Sequence, residues 1–85
     1  MVPKMWMVPK DWRLEWRQWG ELHVVYNPAS GDTHLLNGAS AEVLKSLERK
    51  ASTLEELETQ VPSASDIEGL ISELDELGLI APAHS

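Results

Sequence analysis

The stretch ELHVVYNPASGDTHLLNGASAEVLKSLERK, residues 21–50, changes its hydrophobic period midway, and that change decides the fold. Val24, Val25 and Tyr26 suit a pleated, half-buried surface. NPASGD then sets Asn, Pro, Ser, Gly and Asp in a row, each a turn former for its own steric or hydrogen-bonding reason. THLLN supplies the second arm of a hairpin. From Ser40 the period lengthens to that of a helix. Ser40 is the expected cap, Val43, Leu44 and Leu47 share one face, and Arg49 and Lys50 meet the negative end of the helix dipole.

Upstream, WRLEWR alternates apolar Trp12, Leu14 and Trp16 with charged Arg13, Glu15 and Arg17, which predicts a strand with one buried and one wet face. Short connections favour an antiparallel meander with strands near 12–17, 21–26 and 33–37. The adjacent pairs Val24–Val25 and Leu35–Leu36 blur which face turns inward. Downstream, TLEELETQV opens with a capping box, Thr53 with Glu56, and stops at Pro62. SDIEGLISELDELG repeats the device with Ser65 and Glu68, spaces Ile67, Leu70, Ile71, Leu74 and Leu77 helically, and ends on Gly78. LIAP is expected to be a short extended tail that packs back. Neither a small sheet nor short amphipathic helices are stable with their apolar faces uncovered, so the two halves must pack on each other. The expected fold is α+β and winged-helix-like: a three-stranded antiparallel meander followed by three short helices.

Residues 1–11 are expected to form an extended N-terminal arm, 12–82 the folded domain, and 83–85 a tail. The arm holds a near repeat, MVPKMW then MVPKDW, whose prolines disfavour helix. Met1, Met5 and Met7 are each candidate start residues, and the arm is expected to be frayed and without a role.

An 85-residue chain buries only ~60% of the surface its unfolded form exposes, which leaves little room for a deep catalytic cleft. Without cysteine there is neither a disulfide framework nor a thiolate metal site, and no apolar run is long enough to span a membrane. The expectation is a cytoplasmic protein. The formal charge of −7 lies wholly in the second half, because Lys4, Lys10, Arg13 and Arg17 balance Asp11, Glu15, Glu21 and Asp32 in the first. An acidic half repels phosphates and favours a basic partner or solubility alone.

Ser30, Asp32 and His34 are the side chains of a hydrolase triad, but lying so close along the chain they cannot readily fold into mutual contact. They suit a turn leading into a strand, and no catalytic residue is assigned. His23 and His34 are expected to face each other across the hairpin, with His84 in the tail, and they lack the further ligands of a metal site. No cofactor is implied. A DNA-reading third helix is disfavoured, since Asp66, Glu68, Glu73, Asp75 and Glu76 accompany no lysine or arginine there. Trp12 and Trp16 are assigned to the core, and Trp6 and Trp19 are left open between core and contact surface. The third strand has no formal charge between Asp32 and Ala41, so its edge suits pairing with an incoming peptide.

The run ELHVVYNPASGDTHLLNGASAEVLKSL, a capped TLEEL helix and a final IEGLISELDELGLIAP resemble the PqqD-like family of small peptide chaperones, known as RiPP recognition elements. VVYNPASGDTHLL, behind a tryptophan-bearing first strand, resembles in particular the member found in HPr-rel-A systems. The resemblance covers Trp12 to Pro82. It implies a non-catalytic winged-helix peptide binder that adds the leader of a ribosomally made precursor to its third strand, beside its third helix, for a modifying enzyme. By position it implies Thr33, His34, Leu35, Leu36 and Asn37 on the strand, and Asp66, Ile67, Leu70, Ile71, Glu73 and Leu74 on the helix. The acidic face, Asp75 included, would meet basic leader residues. The implied partners are the precursor peptide and a modifying enzyme, an HPr-kinase-like one among the candidates, with no nucleic acid and no membrane. The alternative is a structural adaptor that binds its enzyme through the tryptophan-rich first strand.

Overall fold

The computed structural model describes residues 4–9, 11–62 and 64–83. Among these residues the architecture is mixed α+β, with two three-stranded antiparallel sheets and three helices. The expected meander is present as β2 (Glu15–Trp19), β3 (Leu22–Asn27) and β4 (Asp32–Leu36), in the order β2-β3-β4, but its first strand starts at Glu15 and not at Trp12, so 12–14 lie ahead of the strand. Trp16 pairs with Val25 and Val25 with His34, so these residues lie on one face. Val25 and Leu36 are fully buried there, and Trp16 packs half-buried against the core. The ambiguity of the adjacent valines and leucines is thus resolved: Val25 and Leu36 point in, Val24 and Leu35 out.

The helices are α1 (Gly38–Arg49), α2 (Leu54–Gln60) and α3 (Ile67–Glu76). The Thr53–Glu56 capping box forms as expected, Thr53 Oγ1 accepting from the Glu56 amide at 3.2 Å and Glu56 Oε1 accepting from the Thr53 amide at 3.0 Å. The other two caps differ. Asn37 caps α1, its side chain accepting from Ser40 N at 2.8 Å, which starts the helix ahead of Ser40 and buries that serine in the first turn. Asp66, not Ser65, caps α3 through Gly69 N at 3.0 Å. Gly69 permits this, since a Cβ there would strike the Asp66 carboxylate.

The largest departure lies at the two ends of the chain. Met5–Met7 is a strand, β1, at the centre of a second sheet whose outer strands are β5 (Ser52–Thr53) and β6 (Ala81–Ala83). Trp6 lies opposite both Ser52 and Pro82. Trp6 and Val8 are buried in the same cluster as Leu44, Leu57, Ile71 and Leu79, so this part of the expected arm belongs to the core. LIAP does pack back, with Leu79 and Ile80 buried and the chain running on into β6. The strands therefore do not all precede the helices: β5 separates α1 from α2, and β6 follows α3. The first MVPK, Lys10 and His84 lie partly or wholly outside the described residues.

A polar chain ties the second sheet to the helices. Ser46 of α1 donates to Gln60 Oε1, Gln60 Nε2 donates to Ser52 Oγ at 3.4 Å, and Ser52 Oγ donates to Lys50 O at 3.2 Å. Ser46 and Ser52 are buried, so these bonds offset the desolvation of their hydroxyls.

Candidate functional site

The turn before β4 is built around Asn27. Its Oδ1 accepts from Ala29 N at 3.0 Å, and its carbonyl accepts from Ser30 N at 3.2 Å and Gly31 N at 2.7 Å. Ser30 Oγ donates to that carbonyl at 3.4 Å and accepts from Asp32 N at 3.3 Å. Gly31 takes φ +80°, where an L side chain is strained. Ser30 and Gly31 thus belong to the turn. Among the described residues no side-chain-to-side-chain hydrogen bond joins Ser30, Asp32 and His34, the Asp32 contact to Ser30 being through its backbone amide, and His34 Nε2 is buried without a partner.

Beyond the turn, β4 pairs only with β3 among the described residues, so its other edge is open. Its side chains alternate: Thr33 and Leu35 face outward, His34 and Leu36 inward. Leu35 is 63% exposed while Leu36 is buried. Beside Thr33 the outer face carries a depression of 260 Å³ lined by Glu15, Arg17, Val24, Tyr26 and Thr33. Asn37 lies outside the strand, because its backbone and side chain start α1.

The helix residues implied by the resemblance divide. Ile67 and Leu74 are core side chains with no face to offer a ligand, and Ile71 is buried but forms part of the floor of a groove. The same helical spacing that suggested a groove lining is the spacing of a core face. Leu70 is half-buried, Glu73 is exposed, and Asp66 holds the N-cap. The helix packed against β3 and β4 is α1, while α3 packs on α1 and α2.

His23 lies opposite Leu36 and His34 opposite Val25, so the two histidines share a face but are not partners in register. Among the described residues no group of three His, Asp or Glu side chains is placed to hold a metal, and no helix is long and apolar enough to cross a membrane. Of the open tryptophans, Trp6 is core and Trp19 is 72% exposed, beside Leu22 at 49% on the outer face of the first sheet. The alternation of WRLEWR places Trp16 inward, and continued to Trp19 it already puts that residue outward. No family model, curated protein or solved structure matches the chain.

Proposed function

We propose that the protein is a non-catalytic peptide-binding module that takes an extended peptide, the leader of a ribosomally made precursor, as a fourth strand along β4. The observation that carries this is the open edge of β4, uncharged after Asp32 and flanked by exposed Leu35. An incoming strand gains main-chain hydrogen bonds there and sets alternate side chains against Thr33 and Leu35 on one face and near His34 on the other. Leu36 contributes through its backbone alone. The winged-helix-like reading and the resemblance to PqqD-like chaperones belong to this proposal, as do a cytoplasmic setting and presentation to a modifying enzyme.

A second reading has its own observation. Trp19, Leu22, Tyr26 and Leu35 expose large apolar side chains on one sheet face, and such a patch suits a partner protein. This is the adaptor alternative, with the enzyme docking on β2 and β3.

Heteronuclear NMR with a candidate precursor peptide tests both. Strand addition predicts amide shifts and slowed hydrogen exchange across 32–37. Shifts confined to 15–24, with 32–37 unmoved, would replace it with the adaptor reading.

A further inference from the structure

The second sheet creates a groove on the flank of α3. Its volume is 500 Å³, and Trp6 of β1, Leu54 of α2 and Ile71 of α3 supply its apolar lining. Three carboxylates also line it, Glu55 on α2 and Glu68 and Asp75 on α3, against one ammonium, Lys4. Among the described residues none of the three carboxylates forms an ion pair. Lys4 Nζ lies 4.5 Å from the centroid of the Trp6 ring, so the indole already receives a cation. Glu68 and Asp75 stand two helical turns apart on one flank, about 10 Å along the axis.

We infer that this groove is a second peptide contact, selective for a short extended segment of the pattern basic–apolar–basic. The inference rests on the peptide-binding reading only for the kind of polypeptide that arrives, since the groove is distinct from the β4 edge. In an extended chain, residues i and i+2 point to the same side and lie about 7 Å apart, while i+1 points the opposite way. With the segment running along α3, two long basic side chains turn to Glu68 and Asp75 on that helix, and the apolar i+1 side chain turns across the groove to Trp6 and Leu54. Glu55 faces the same space from α2. Apolar burial gives the contact its hold, and the carboxylates select sign and register.

The probe is acetyl-Arg-Leu-Arg-amide, titrated into the full chain and followed by NMR at the Trp6 indole N–H and the Leu54 and Ser72 amides. Acetyl-Glu-Leu-Glu-amide and acetyl-Arg-Gly-Arg-amide are the comparisons. The expected result is saturable shifts with the first peptide, weaker ones with the glycine peptide, and none with the acidic one. Glu68→Gln and Asp75→Asn, both at exposed positions, should each lower affinity about two- to fivefold. Lys4→Ala should raise it, because it removes the resident competitor for the Trp6 ring. A silent Trp6 indole, or equal response to the acidic peptide, overturns the inference. The two sites fail separately: a precursor that protects 32–37 without moving Trp6 removes the groove alone, and the reverse pattern removes strand addition alone.

Discussion

Asn37 takes the capping role that the sequence suggests for Ser40. Asn37 caps α1 by accepting from Ser40 N, while the Ser40 hydroxyl is buried and has no hydrogen-bond partner among the described residues. Asn37→Ala should therefore cost about 1 kcal/mol. Ser40→Ala should be neutral or stabilise by up to about 1 kcal/mol, since it removes an unsatisfied hydroxyl. Urea denaturation of both variants checks the pair, and the opposite order would restore Ser40 as the cap. Glu56 is the other residue with a definite consequence. The hydrogen bond from the Thr53 amide, opposed by partial desolvation and helped by Lys50 at 3.9 Å and the Thr53 hydroxyl, holds its pKa below the ordinary value of 4.5. A lowered carboxylate pKa contributes stability that is complete above the unfolded value and is lost as pH falls through the folded one. Glu56→Gln should thus be less stable than the parent at neutral pH, with the gap closing as pH falls below that of an ordinary glutamate. A gap that does not change with pH would mean that the carboxylate's charge contributes nothing to the cap.

At the scale of the element, β1 is the strand that joins the chain's distant parts. Met5 pairs with Thr53 and Ala83, so three residues hold the start of α2 and the end of the chain together. Trp6 fills the core beneath that junction, and Trp6→Ala should cost about 3–5 kcal/mol, a large share of the stability of a small domain. Trp19→Ala, at 72% exposure, should change stability by no more than about 0.5 kcal/mol. Chemical denaturation separates them, and similar losses from both would contradict the burial difference. The contrast also explains what could be read from the sequence. The meander, the capping box and the helical faces are set by local period and local hydrogen bonds, so residues 12–76 announce most of their structure. β1 has too few residues for a period, its prolines read as loop, and its partners lie more than forty positions away. Nothing local in MVPKMW distinguishes a frayed arm from a central strand. The candidate site shows the same division: the open, uncharged edge of β4 follows from composition and chain order, whereas the groove against α3 exists only because β1 is present.

Over the whole molecule, the acids divide: Glu55, Glu56, Asp66 and Glu68 sit at helix N-termini, where the dipole favours them, but part of the excess falls where helices tolerate it least. Neither α2 nor α3 has a basic residue in its last turn, and α3 ends on Asp75 and Glu76 beside the negative end of its dipole. Each such charge is unfavourable by about 0.3–1 kcal/mol at low salt. Both side chains are exposed, so their replacement disturbs no packing. Local conflicts of this kind are expected where a sequence is shaped by something besides stability. The two residues separate the possibilities, because Asp75 lines the groove and Glu76 does not. Glu76→Lys and Asp75→Lys should both raise the denaturation midpoint, by an amount that shrinks as salt screens the dipole. Only Asp75→Lys should also weaken binding of the Arg-Leu-Arg peptide, which makes the acid at 75 a stabilising opportunity forgone for recognition. Equal binding by the two variants would leave the acidic end of α3 as a matter of charge alone and would remove Asp75 from the groove's function.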